Sequence, residues 1–263
     1  MDNSSPKTIS NIIESNTANF FLTLGNLNKD IIIDNPEIKC IFTKNWQSRI
    51  FMANFNDSNA SENIEKIISM IKKLHISVLW YTTPANRPKK IQNLLMDHGF
   101  KYQSKWKSMA IDLKKVPKEF NIQNGITIKE VLNLNQLKIW TNILVKSFEF
   151  PLFAVSYKKY FCKLGVENRN FHYYLGFLNE NPVTSAIIFK GEEAAGLFYI
   201  GTVPEARRKG IAQAMTCYIL TKAKNEGYNI CTVQASEMGY PIYKKIGFKQ
   251  YNETKIYAFN SIF

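Results

Sequence analysis

Metal-ligating and redox-active residues are scarce in this chain of 263 residues. Cysteine occurs four times, at positions 40, 162, 217 and 231, and no two lie two residues apart, so neither a zinc site nor a redox pair is supported. The three histidines (His75, His98, His172) are far apart, and no catalytic metal is expected. No stretch approaches the roughly 18 uncharged apolar residues that a membrane span needs. Met1-Asp2-Asn3-Ser4-Ser5-Pro6 lacks the basic-then-apolar build of a signal peptide. The expectation is a soluble cytoplasmic protein with reduced thiols. Nine prolines and twelve glycines are too few for a collagenous or low-complexity chain.

What is present is an ordinary globular composition, 45% hydrophobic and 13% aromatic, with 34 Lys+Arg against 21 Asp+Glu, a net charge of +13. Residues 1–118 carry +7 and residues 119–263 carry +6, so the charge is spread evenly rather than gathered into a basic tail or stripe. Such a surface attracts polyanions generally. It does not mark a dedicated nucleic-acid binder, and a membrane partner is not expected either.

The chain repeats itself. Residues 230–236 read as a buried strand, followed by a turn with Gly239 and Pro241, a short helix through Tyr243 and Ile246, and Gly247 as a left-handed cap. Closing strands are expected at about 248–252 and 254–260. In the first half, residues 76–81 read as a strand, with Pro84 and Pro88 in a turn and Ile91, Leu94 and Leu95 on one helix face. Gly99 then ends that helix before strands near 100–105 and 108–113. Upstream, residues 61–74 space Ile64, Ile67, Ile68 and Ile71 as a helix, capped by Asn59 or Ser61, after a strand at 49–54. Residues 207–226 form the matching longer helix, after a strand at 194–203. The pattern predicts an α/β fold in two tandem lobes, residues 1–118 and 126–263, joined by a linker at 119–125. Residues 126–131 read as a strand, about 133–147 as a helix, and 171–178 with 183–190 as a hairpin; residues 148–165 are aromatic and resist assignment.

One segment carries chemistry: Tyr199-Ile-Gly-Thr-Val-Pro-Glu-Ala-Arg-Arg-Lys-Gly-Ile-Ala212. A strand runs out, Pro204 breaks it, and Arg207, Arg208 and Lys209 precede Gly210 as a helix begins. The first N–H groups of a helix lack intrahelical acceptors and sit at the positive end of its dipole, which suits an anion. Gly210 and Ala212 let a phosphate approach the backbone, and at least one of the cations could fork onto its oxygens. The plain alternative is a solvated basic turn before an amphipathic helix.

Arg207-Arg208-Lys209-Gly210-Ile211-Ala212 resembles the signature of the GNAT N-acetyltransferase superfamily, in which Arg or Gln is followed after two residues by Gly, and then by Gly or Ala two further on. Tyr243 lies four residues before the Gly247-Phe248 pair, as that family's tyrosine does. The resemblance implies a mixed central sheet flanked by helices. It also implies acetyl-CoA as co-substrate, gripped at its pyrophosphate by the 207–212 loop and paired along its pantetheine arm by the backbone of Thr202 and Val203. Residues 1–118 look like a degenerate copy. Their corresponding loop, Phe55-Asn-Asp-Ser-Asn-Ala60, has neither Gly nor cation, and no CoA site is expected there.

The implied reaction is attack of an amine on the acetyl thioester, with an oxyanion to stabilise and a thiolate to protonate. Tyr243 is the candidate acid, since an unperturbed phenol near 10 lies close to a thiol; the other reading is a core tyrosine. The Val203 N–H is the candidate oxyanion donor, on the expectation that Pro204 leaves it unpaired. No carboxylate lies in residues 194–203, where Gly196 stands in for the family glutamate. Glu192 and Glu193 fall in a turn. Glu149, with Phe150 beside it, is the substrate-side candidate, a plain surface glutamate fitting as well. Ser236 stands where many members contact pantetheine, or it caps the next helix. The aromatic region 148–161 either shapes the acceptor pocket or packs as a helix pair, and His172 could line that pocket. The acceptor is a small amine or a peptide, the protein a monomer or homodimer. The rival readings are a CoA- or protein-binding module without transfer, a nucleic-acid binder, and transfer of a longer acyl group.

Overall fold

The computed structural model describes residues 6–117, 120, 125–149 and 154–260. They form two compact units, one of residues 1–108 and 250–263, the other of residues 109–249. The units therefore do not follow the two halves of the chain. The last strand returns to the first unit, and the change of unit near position 108 falls inside a strand rather than at 119–125. Most of that expected linker lies outside the described residues.

The first unit opens with helix α1 (Pro6–Asn28), then strands β1 (Ile31–Asp34), β2 (Lys39–Phe42) and β3 (Ser48–Phe51). Helix α2 (Ala60–Leu74), β4 (Ser77–Thr82), α3 (Ile91–Asp97) and β5 (Lys101–Asp112) follow, and β11 (Lys249–Asn260) completes the unit. The sheet order is β1-β2-β3-β4-β11-β5. The α2 helix forms where the isoleucine spacing predicts. Its stripe of Ile64, Ile67, Ile68 and Ile71 packs with Val78, Trp80 and Leu95, and His75 closes it in the left-handed conformation at φ 53°. β3 and β4 run parallel, Ser48 opposite Val78 and Ile50 opposite Trp80. Past their ends the chain closes on itself: Arg87 N–H donates to the Ala53 carbonyl at 3.0 Å, and Phe55 N–H to the Arg87 carbonyl at 3.1 Å.

The second unit holds β6 (Ile126–Glu130), α4 (Leu134–Phe148), α5 (Ala154–Leu164), β7 (Phe171–Leu178), β8 (Asn181–Lys190) and β9 (Ala195–Thr202). Then come α6 (Ile211–Asn225), β10 (Ile230–Ala235) and α7 (Tyr240–Ile246). Its strands lie in the order β10-β9-β8-β7-β6. Asn133 caps α4 through the Gln136 N–H at 3.0 Å, and Gln136 reaches back to the Leu132 N–H at 2.7 Å, a reciprocal N-terminal lock. Met215, Ile219, Leu220 and Ala223 of α6 pack onto Ile188, Leu197 and Val233 of the sheet.

Each pair of closing strands expected from the sequence is a single twelve-residue strand, β5 and β11. Polar residues inside them (Gln103, Ser104, Glu253, Thr254) suggest a break, but paired backbone does not need one. Helix α6 begins at Ile211 rather than at 207, because Arg208 and Gly210 both take left-handed backbone, at φ 63° and 73°.

Candidate functional site

Two features of β9 set the site. It runs parallel to β10 only from Ala195 to Leu197, opposite Cys231 to Val233, although β9 continues to Thr202 and β10 to Ala235. The strands therefore part, and β9 turns from buried to half-buried at that point. On its other edge β9 carries a bulge. Ile187 pairs with Phe198 and Ser185 with Gly201, so Tyr199 and Ile200 face only Ala186, with Tyr199 at φ 51°. Ser185 Oγ donates to the Tyr199 carbonyl at 3.2 Å, and Trp140 Nε1 to the Ala186 carbonyl at 3.0 Å. The bulge is thus satisfied from outside the ladder.

Beyond Thr202, Pro204–Ala206 makes one 3₁₀ turn, and the chain enters α6 through Arg207–Gly210. Among the described residues, none accepts the backbone N–H groups of positions 208 through 213. The first internal bond to close over them is Ala214 N–H to the Gly210 carbonyl at 2.9 Å. Arg208, Lys209 and Gly210 are exposed, and Ala212 is half-buried. This row of donors at the positive end of a fifteen-residue helix, flanked by two exposed cations, has the chemistry to cradle an anion with several oxygens. Ile211 is buried and serves as an anchor, packing with Val203, Ala206 and Ile126.

The other expected site residues are placed as follows. Arg207 does not face the cradle's solvent side as a free cation. Its Nε donates to the Thr202 carbonyl at 3.2 Å, and its Nη2 to the Ser147 carbonyl and the Glu149 carboxylate, each at 3.0 Å. Arg207 and Glu149 are thus brought together, and Arg207 ties the end of β9 to the end of α4. The Val203 N–H is not unpaired as expected: it donates to the Val183 carbonyl at 2.9 Å, because β8 starts early enough to reach past Pro204. Ser236 is exposed, and its Oγ accepts the Gly239 N–H at 3.2 Å while its carbonyl accepts the Tyr240 N–H, so it closes the turn that leads into α7, where Gly239 stands at the cap position.

Tyr243 lies in the core at 7% exposure, edge-on to Phe248 at 5.6 Å. A Cβ on Gly239 would stand 2.9 Å from its ring. Burial pushes its phenol well above the usual range, with the Cys231 thiol a second cause, so the expected match with a thiol does not hold. Glu192 and Glu193 are exposed in the β8–β9 turn. Phe150 and Phe153 lie outside the described residues. Tyr157, Tyr160 and Phe161 are buried with Trp140 and Tyr173, so this part of the aromatic region packs α4 and α5 onto the sheet; rings of Phe148, Tyr157 and Phe161 surround Tyr199 edge-on within 6.3 Å. His172 Nδ1 meets the Glu130 carboxylate at 2.6 Å across β7 and β6. Sequence reasoning missed the bulge and the Trp140 bond; both depend on cross-strand register.

Among the described residues there is no cluster of His, Cys, Asp or Glu suited to a metal, and no helix is long and apolar enough to cross a membrane. Residues 162–259 match the family model of the acetyltransferase (GNAT) domain. No curated protein matches the chain. Among solved structures, a GCN5-related N-acetyltransferase from Kribbella flavida aligns over 93% of this chain and 95% of its own, with a TM-score of 0.72 at 15% identity. A GCN5-related N-acetyltransferase from Sphaerobacter thermophilus aligns over 86% of this chain and 76% of its own (TM-score 0.62, 14% identity). A tandem GNAT protein from the clavulanic acid biosynthesis pathway aligns over 85% and 78% (TM-score 0.58, 10% identity).

Proposed function

We propose that this chain, whose residues 162–259 match the model of the acetyltransferase (GNAT) domain and whose fold is that of GCN5-related N-acetyltransferases, moves an acetyl group from acetyl-CoA to an amine. The observation that carries this reading is the row of unaccepted amides at 208–213, lying next to the edge of β9 left open where β10 departs. These residues fit the co-substrate. The amides with Arg208 and Lys209 would hold the diphosphate, and the parted strands leave backbone groups of residues 198–202 for an amide-bearing arm. Acetyl-CoA would supply the activated thioester carbonyl. The chain's own part is to orient that arm along β9 and to present a phenol that stays protonated.

Tyr243 is the proposed proton donor. It remains neutral through the physiological range because its charged form is desolvated. The acceptor amine, a small molecule or a peptide, would lose its proton to water or arrive neutral, since β9 carries no carboxylate. We place the protein in the cytoplasm and give the first unit no CoA site, because Arg87 already bridges to Ala53 and Phe55 where its strands would part.

Calorimetric titration with CoA tests the core of the proposal. Binding by the wild type that Gly210→Asp abolishes supports it; no heat at tens of micromolar ends it. A second reading, a CoA-binding module without transfer, is favoured by two observations: the Val203 N–H is taken by Val183, and Tyr243 is buried. Mass spectrometry of an amine and peptide panel incubated with acetyl-CoA separates the two.

A further inference from the structure

The segment that closes the first unit's strands has another side. Thr83, Pro84, Asn86 and Lys89 of that segment, with Gln92, Glu253 and Lys255, line a cleft of about 310 Å³ within the unit. This is the small end of the range for sites that take metabolites. Its wall is pinned from behind. The buried Glu14 carboxylate accepts from Thr83 Oγ1 at 2.9 Å and from Asn86 Nδ2 at 3.1 Å, and Asn86 Oδ1 accepts the Thr83 N–H. Ile91 and Pro84 give it an apolar side.

The polar groups that reach the cleft are mostly donors. Gln92 Oε1 accepts from Lys255 Nζ at 3.1 Å and from the Tyr257 hydroxyl at 3.4 Å. Its oxygen is therefore occupied, and among the described residues nothing accepts from its amide nitrogen. Lys89 Nζ donates to the Pro84 carbonyl at 3.2 Å, a neutral partner. Lys89 and Lys255 thus keep their charge uncompensated. Glu253, the carboxylate in the lining, is held by Lys105 and Lys107. The lining therefore presents Lys89 and Lys255, neither of them ion-paired among the described residues, beside a Glu253 carboxylate that two other lysines already hold, around a pinned, half-apolar hollow. From this arrangement we infer that the first unit binds a small organic anion, a carboxylate or phosphate ester with a compact apolar body. Its acidic group would lie between Lys89, Lys255 and the Gln92 amide.

The test is a titration of the ¹⁵N-labelled full chain with succinate and, separately, inorganic phosphate at constant ionic strength, following by NMR the Gln92 side-chain amide and, in every variant, the backbone amides of Thr83, Asn86 and Lys89 that line the cleft. The expected result is a saturating shift with at least one of the two. That affinity falls about tenfold or more in Lys89→Gln/Lys255→Gln, as loss of charged hydrogen bonds implies, and in Gln92→Leu, which keeps both lysines. Lys66→Gln, on the exposed face of α2, leaves it unchanged. Gly210→Asp also leaves it unchanged, which separates this site from the CoA reading. A linear, unsaturable shift with both probes, or equal affinity in the lysine and Gln92 variants, overturns the inference.

Discussion

Arg207 and Glu149, 58 positions apart in sequence, meet at 3.0 Å, and the same guanidinium also holds the carbonyls of Ser147 and Thr202. A cation committed to three oxygens at the ends of α4 and β9 is poorly placed to serve a diphosphate. Arg207→Gln is therefore expected to lower the melting temperature while leaving the salt dependence of CoA affinity unchanged. Arg208→Gln with Lys209→Gln should do the reverse, weakening CoA by about tenfold at low salt and flattening its salt dependence. Titrations at two ionic strengths decide it. If Arg207→Gln flattens the salt response as much as the double variant, the guanidinium reaches phosphate after all.

Gly201 is where α4 presses on the open part of β9. A Cβ there would stand 2.6 Å from Phe148 Cε2 and 2.7 Å from Ser147 Cβ. Gly201→Ala should therefore cost about 1–3 kcal/mol as overpacking and misplace the edge of β9. The expected outcome is a lower denaturation midpoint together with weaker CoA binding, whereas Gly165→Ala, with open space around it but φ 70°, should affect stability alone. Urea melts and CoA titrations on both variants provide the comparison.

Much of the second unit was legible in the sequence because its punctuation is local. Gly227 and Gly247 end helices at positive φ, and Gly210 opens one, as their contexts imply. The row of unaccepted amides at 208–213 follows from that same chain of neighbours. What was not legible depends on partners far away. The expectation of a free Val203 amide failed because β8, twenty residues upstream, supplies an acceptor. The bulge at Tyr199 is a matter of register between β8 and β9, and no spacing within β9 reveals it. Helix α1 went unread for another reason. It buries Ile9, Ile13, Phe20 and Leu24 but also Glu14, Asn16 and Thr17, so its apolar stripe is broken by polar residues that are themselves inside.

Tyr243 distinguishes a catalytic phenol from a packing ring. Tyr243→Phe keeps the ring against Phe248 and Gly239, so stability should change little. The proposed proton donation predicts a fall in kcat of about a hundredfold or more, with CoA affinity unchanged. The raised pKa adds a sign: the folded state holds this proton more tightly than the unfolded chain, whose phenol titrates near 10. Its contribution to stability is therefore complete below about pH 10 and lost as pH rises further. Wild type should lose more stability than Tyr243→Phe between pH 9 and 11, which thermal melts across that range measure.

Glu14 gives a pH dependence of the same sign in the first unit, but in a more acidic range. Burial raises its carboxyl, and the bonds from Thr83 and Asn86 offset this only in part. The folded state then binds the proton more tightly than the unfolded chain, where a glutamate titrates near 4.3. Stability from this group is complete below that value and declines as pH rises through the folded pKa, so at neutral pH the buried charge is a cost. Glu14→Gln removes the charge and keeps the shape. The melting temperature of the variant relative to wild type should therefore climb as pH rises from 4.5 towards 8, levelling off once the folded carboxyl has ionised. A difference that stays constant across those pH values would show that the two hydrogen bonds, rather than burial, set the carboxyl's protonation.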